Sequence, residues 1–202
     1  MNRRTPHFLI LQPRILLLFS FTMTLVLHAA TDAADNTNQS QQVRPPNVLI
    51  IMSDDMGYSD LGCFGGEIKT PNLDELAHSG LRFTNFYSEN MCWVSRAAML
   101  TGVYHKSSMV NGALNKNCPT LPERLRAAGY QTAMSGKWHL GGKSYGVFPN
   151  DRGFNDFYGI LGGAASFYAP AHLHRNRKNV EQEAIENPDY YITDAISSEA
   201  TR

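Results

Sequence analysis

The sequence predicts an α/β fold: a mostly parallel sheet flanked by helices. Three observations carry that expectation. Short apolar runs of strand length alternate with segments of helical period, and start and stop residues bracket the helical segments. Two of the runs also deliver clusters of polar residues at their carboxyl ends, where open α/β sheets gather their chemistry. The chain has 202 residues, enough for one domain of ordinary size, and its 18 Lys and Arg balance 18 Asp and Glu. No electrostatic case therefore exists for a nucleic-acid partner.

Residues 1–30 have the layout of a signal peptide. Arg3, Arg4 and Arg14 precede an apolar stretch at 15–27, and Ala29, Ala30, Ala33 and Ala34 follow. The run is too short for a comfortable membrane span, so the expectation is a periplasmic or secreted protein without a stable membrane anchor; an uncleaved anchor is the alternative. Residues 31–46, rich in Asn, Gln and Asp, form a polar linker.

Residues 47–52 are apolar and β-branched, and predict a strand buried on both faces. Asp54 and Asp55 follow at its end. Adjacent carboxylates repel unless neutralised, so the pair reads either as ligands to a hard cation, Ca²⁺ or Mg²⁺, or as a solvated acidic turn. Thr70 as N-cap, Pro71 at the first position and Gly80 at the end delimit a helix with Leu73, Leu76 and Ala77 on its buried side. Residues 81–87 alternate and predict a strand.

Next comes Cys92-Trp93-Val94-Ser95-Arg96, a loop turning into a helix, with Ser95 as N-cap and Gly102 as stop. A cysteine just before a helix N-terminus meets backbone N–H groups that favour an anion or a thiolate, and Arg96 in the first turn adds a charge. Alone, Cys92 reads better as a small buried residue before a short core helix. Thr120 and Glu123 form a capping box, with Leu121, Leu125 and Ala128 on the apolar side and Gly129 closing the helix. Residues 130–135 return as a strand.

That strand ends in Gly136-Lys137-Trp138-His139. In an extended segment Lys137 and His139 point the same way, and together they suit a tetrahedral dianion or a leaving group; a surface Lys beside a core His is the plainer reading. The cysteines are Cys63, Cys92 and Cys118. A Cys63–Cys118 disulfide and two unpaired thiols are both open. His172, His174, Arg175 and Arg177 fall in a basic loop at 167–177, and residues 181–186 read as an exposed acidic stretch.

Five ordered segments together resemble the sulfatase (arylsulfatase-like) family of the alkaline phosphatase-like superfamily. They are residues 46–57, with Asp54-Asp55; Thr70-Pro71-Asn72-Leu73-Asp74; residues 92–102; Gly136-Lys137-Trp138-His139-Leu140-Gly141; and residues 153–159. The resemblance makes residues 47–202 the N-terminal part of a sulfatase catalytic domain. It implies a sulfuric ester hydrolase in which a maturation enzyme oxidises Cys92 to formylglycine, whose hydrate attacks sulfur with one hydroxyl and expels sulfate with the other. It further implies Asp54, Asp55 and the modified Cys92 as ligands to Ca²⁺ or Mg²⁺. Arg96 would steady the nucleophile, Lys137 would contact sulfate and His139 would hold the formylglycine hydroxyl. The implied substrate is a sulfated small molecule or sulfated carbohydrate.

Two departures from the family pattern stand out. Val94 occupies the position usually held by Pro or Ala in Cys-x-Pro-x-Arg; a β-branched residue also adopts the extended shape that Pro favours. Family members also run well past residue 202, carrying further metal ligands, a histidine and a lysine. A phosphohydrolase of the same superfamily and an inactive truncated product are the competing readings. Cys92 followed by Arg96 counts against the first.

Overall fold

The computed structural model describes residues 44–142 and 144–202. The expected signal peptide and the linker as far as residue 43 lie outside the described residues. The stretch Met52–Arg202 is one compact unit, and the described residues 44–51 are not part of it.

Within the second unit the organising strand is β4 (Asp156–Ile160), and its burial explains the layers. Side chains alternate across a strand. Phe157, followed by Leu161 just beyond the strand, enters one apolar cluster with Ala97, Leu100, Leu114, Trp138 and Leu140. Tyr158 and Ile160 enter the opposite cluster with Leu173, Val180, Ala184, Tyr190 and Ile192. Helix α2 (Cys92–Thr101) therefore covers one face, and α6 (Ile192–Ala200) covers the other. This is the three-layer logic of an α/β fold. The sheet runs β3 (Ala133–Ser135), β4, β5 (Leu173–Arg175), β6 (Lys178–Asn179). Only β3 and β4 are parallel, in register Met134 to Phe157; the remaining pairs are antiparallel, so the sheet is mixed among the described residues.

Shorter elements complete the chain. Helix α1 is Pro71–Ser79, α3 is His105–Ser108, α4 is Leu121–Ala127 and α5 is Glu181–Ile185. A two-stranded ribbon, β1 (Met109–Val110) and β2 (Ala113–Leu114), turns on Asn111-Gly112. Their φ values of 53° and 80° are the left-handed pair that a tight hairpin requires. The capping box on α4 forms as read: Thr120 Oγ1 accepts from the Glu123 N–H, and Glu123 Oε2 accepts from the Thr120 N–H at 2.8 Å.

Several expectations need correction. Residues 47–52 form no strand, and Leu49 and Ile51 are 81 % and 71 % exposed. Residues 81–87 also form none, with Leu81, Phe83, Phe86 and Tyr87 exposed. Alternation and β-branching show what a strand would bury, but a strand exists only through its ladder, and no described strand pairs with either segment. Leu73 and Leu76 on α1 are exposed as well. That helix is held instead by polar contacts, with Asp74 Oδ1 accepting from the Cys63 N–H at 2.7 Å and from Thr70 Oγ1 at 2.9 Å. The three cysteines are free thiols. The basic loop contains β5, whose Leu173 is wholly buried, and the acidic stretch is the mostly exposed helix α5. Among the described residues no helix is long and apolar enough to cross a membrane.

Glu123 also accepts from Arg152 Nε at 2.9 Å, and the Arg152 side chain is 5 % exposed. Burial pushes the Glu123 carboxyl up, but the bond from Arg152, the Thr120 N–H and the Arg152 charge outweigh it, leaving it below its ordinary value of 4.5. A lowered carboxyl pKa stabilises the fold above the unfolded-state pKa, and that contribution is lost as pH falls through the folded-state pKa. Glu123→Gln, which keeps the cap geometry, should therefore cost about 2 kcal/mol at pH 7, because Arg152 loses its counter-charge. Urea unfolding at pH 7 and pH 3 should show the penalty shrinking at the lower pH; an equal penalty at both would deny the ionic origin.

Candidate active site

Helix α2 begins four residues earlier than a Ser95 cap would place it. Met91 is extended, at φ −148° and ψ 157°, and its carbonyl accepts the Ser95 N–H at 3.0 Å, so Cys92 is the first helical residue rather than the one before the helix. Ser95 Oγ instead donates to the Glu89 carbonyl at 2.9 Å. No side chain caps the first turn, which leaves its N–H groups and its dipole directed at the space beside Cys92.

Arg96 lies one turn further along, its side chain 10 % exposed. One guanidinium nitrogen donates to the Lys137 carbonyl at 2.6 Å, another is 3.9 Å from Asp54 Oδ2, and its buried Nε has no partner among the described residues. Burial draws this guanidinium below its ordinary pKa of 12.5, while Asp54 and Cys92 pull the other way. Lys137 Nζ is 2.5 Å from the same Asp54 oxygen, a charge-assisted contact. Cys92 Sγ is 3.3 Å from His139 Nδ1. Residues separated by up to 85 positions thus share one spot: Asp54 with Lys137 and Arg96, and Cys92 with His139.

The convergence of Lys137 and His139 holds, but not by an extended backbone. Strand β3 ends at Ser135, and His139 has φ 56°, a left-handed conformation that costs a non-glycine residue energy. The intervening Trp138 is wholly buried, with its Nε1–H donating to the Val147 carbonyl at 2.8 Å. The His139 and Trp138 N–H groups bond to the carbonyls of Leu161 and Ile160, at 3.1 and 2.9 Å. Burial, then the charges of Lys137 and Arg96, lower the His139 pKa from its usual 6.5, so the ring is neutral near pH 7.

Asp55 differs from its neighbour. It is exposed at φ 53°, and its carboxylate makes no hydrogen bond or ion pair among the described residues. No group of three or more His, Cys, Asp or Glu side chains among the described residues converges as a metal would require.

Two contributors were not legible in the chain. Gly163 packs on the His139 ring so closely that a Cβ there would lie 2.5 Å from Nε2. The Gly162-Gly163 dipeptide signals a turn, but not which side chain it meets. Glu89 accepts the His105 N–H at 3.2 Å and pairs with the His105 ring, fixing the approach to α2. A cavity of about 220 Å³ has His139 in its wall, whereas a larger one of about 580 Å³ beside α1 contains none of the site residues.

Comparison with known proteins fits this geometry. The family model described as Sulfatase matches residues 46–201. An arylsulfatase of Klebsiella aerogenes is 39 % identical over 153 residues, covering 68 % of this chain and 32 % of the relative. The crystal structure of Ps i-CgsB superposes with a TM-score of 0.67 at 33 % identity, covering 78 % of this chain and 40 % of that one. The structure of BT4656 with its substrate D-glucosamine-2-N,6-O-disulfate gives a TM-score of 0.59 at 32 % identity, covering 78 % and 30 %. The chain spans about a third of the length of the curated relative it matches.

Proposed function

The chain belongs to the sulfatase family, with its alkaline phosphatase-like α/β fold, and from that premise we propose that it hydrolyses sulfate esters with a formylglycine made from Cys92. The observation that carries the proposal is the convergence of Cys92, Arg96, Lys137, His139 and Asp54 at the open start of α2. A sulfate monoester carries one negative charge spread over three oxygens. The Lys137 ammonium and the Arg96 guanidinium, with its unpartnered Nε, supply the matching positive field in a partly desolvated setting. The helix dipole of α2 adds to it.

His139 lies within hydrogen-bond reach of the residue-92 side chain and is neutral at working pH, so it accepts the proton of a hydroxyl there as attack begins. A formylglycine hydrate supplies two hydroxyls on one carbon, which lets the covalent sulfate leave without a second nucleophile.

Asp54 and Asp55 are hard oxygen donors and suit Ca²⁺ or Mg²⁺ in kind, supplying two side chains of the six to eight oxygens Ca²⁺ takes. With modified Cys92 they would hold the cation, although the three side chains as described do not converge and further oxygen ligands would be needed. Such a cation supplies Lewis-acid polarisation of sulfate and a lowered pKa at an attacking hydroxyl. Asp54, already shared between Lys137 and Arg96, orients both cations toward that point.

The substrate class is a sulfated small molecule or sugar, in keeping with the neighbour bound to a glucosamine disulfate. Site of action and maturation follow the same reading: export by residues 1–30 to the periplasm or outside the cell, and oxidation by a formylglycine-generating enzyme. The chain co-expressed with such an enzyme should release nitrophenol from 4-nitrophenyl sulfate in the presence of Ca²⁺ and leave 4-nitrophenyl phosphate intact. The reverse preference would assign it to the phosphohydrolases.

Gly163→Ala gives a sharper expectation. A Cβ 2.5 Å from Nε2 and 2.6 Å from Cε1 of His139 forces the ring away from residue 92. A displacement of about 1 Å costs on the order of 100-fold in kcat/KM. The thermal midpoint should hold while kcat/KM drops; unchanged kinetics would show that the ring position is not critical.

A further inference from the structure

Helix α2 begins without a side-chain cap, and the first turn of an uncapped helix frays unless something outside the helix holds it. Here the hold comes from Glu89, three positions before Cys92. Its carbonyl accepts from Ser95 Oγ at 2.9 Å, which ties it to the first turn. Its carboxylate reaches the other way: Oε1 accepts the His105 N–H at 3.2 Å, and Oε2 pairs with the His105 ring. His105 is the first residue of α3, and its ring meets the Trp93 ring edge-on at 5.8 Å and 77°. Trp93 follows Cys92 directly and packs against the cluster of Ala97, Leu100 and Trp138. Glu89, His105, Trp93 and Ser95 thus close a ring of contacts around the start of α2, with Cys92 inside it.

The surroundings of Glu89 set aside the plainer roles for an acid. Its side chain is 14 % exposed, so it is not a solvated surface carboxylate, and a shielded contact holds its geometry better than a surface ion pair. Both oxygens are engaged by His105. Neither meets Lys137, Arg96 or His139 among the described residues, so Glu89 touches none of the groups that would handle sulfate.

We infer that Glu89 is a positioning residue for residue 92: through His105 it fixes the start of α2, and with it the 3.3 Å approach of the residue-92 side chain to His139 Nδ1. The inference rests on the sulfate-ester reading only for what residue 92 does once it is placed.

The test compares Glu89→Ala, Glu89→Gln, His105→Ala and the double alanine variant in the full chain, co-expressed with a formylglycine-generating enzyme. Hydrogen exchange reads the hold on the helix. Glu89→Ala should speed exchange at the start of α2, including the Ser95 N–H bound to the Met91 carbonyl, by about tenfold, while the amides of β4 keep the wild-type rate. Turnover of 4-nitrophenyl sulfate reads the placement. Glu89→Ala should lower kcat on the order of 10²-fold with KM held within about twofold, the mark of a misplaced reacting group and not of lost substrate binding. Glutamine can accept the His105 N–H through its oxygen and donate to Nδ1 through its amide, so Glu89→Gln should stay within about threefold of wild type in both readouts. His105→Ala keeps the backbone bond and should repeat the Glu89→Ala pattern at smaller size, which carries the test where Glu89→Ala does not fold. The double variant should be no worse than Glu89→Ala, because the two side chains act as one unit. Unchanged exchange at the start of α2, a Glu89→Gln loss as large as that of alanine, additive losses in the double variant, or a loss confined to KM would overturn the positioning role. A wild-type chain that hydrolyses no sulfate ester would contradict the hydrolase reading, and the exchange pattern then decides the hold on α2 by itself.

Discussion

Cys92→Ser should lower kcat/KM for 4-nitrophenyl sulfate by on the order of 10⁴-fold while leaving the fold intact. Serine fits at the first position of α2 and can keep a bond to His139 Nδ1, so neither the helix nor the neighbouring ring has reason to move. What disappears is the second hydroxyl. Serine forms a sulfate ester with no internal exit, so a covalent sulfate should accumulate, about 80 Da heavier than the free chain, after one turnover. A variant that turns over at the wild-type rate would remove residue 92 from the chemistry.

The two aspartates should separate cleanly. Asp54→Ala removes the shared counter-charge of Lys137 and Arg96, whose side chains are 14 % and 10 % exposed. It should cost about 2 kcal/mol of stability, less than a fully buried pair because the Asp54 carboxylate is partly solvated, and should abolish turnover. Asp55→Asn keeps a residue that tolerates the left-handed backbone and breaks no contact in the described structure. It should therefore leave urea unfolding unchanged and, on the proposed role of Asp55 as a cation ligand, still reduce turnover by about 10²-fold or more. Asp55→Asn with full activity would remove this residue from the cation site; a large stability loss would mean a contact other than those described.

The α/β fold class was legible in the sequence, and so was the grouping of the candidate side chains. Cys92, Arg96, Lys137, His139 and Asp54 stand out by residue type and order along the chain, and three different stretches bring them together. Their backbone was read less well. Residues 47–52 and 81–87 carry strand-like patterns without a ladder, and pattern alone cannot supply a partner. Ser95 looked like a cap because its hydroxyl suits one, but Met91 had already adopted the extended conformation that starts α2. Strand β4 begins with an exposed Asp156 and carries Gly159 inside it, so neither alternation nor an unbroken apolar run marks it. Gly163 acts through a contact with His139 from a distant segment, which no local rule encodes.

The most direct measurement is the mass of the tryptic peptide carrying residue 92, taken from chain produced with a formylglycine-generating enzyme and shown to hydrolyse an aryl sulfate. The peptide should be about 18 Da lighter than its cysteine form, the change on replacing a thiol by an aldehyde, and should react with a hydrazide. An unmodified thiol in a chain that still hydrolyses sulfate esters would contradict the role given to Cys92.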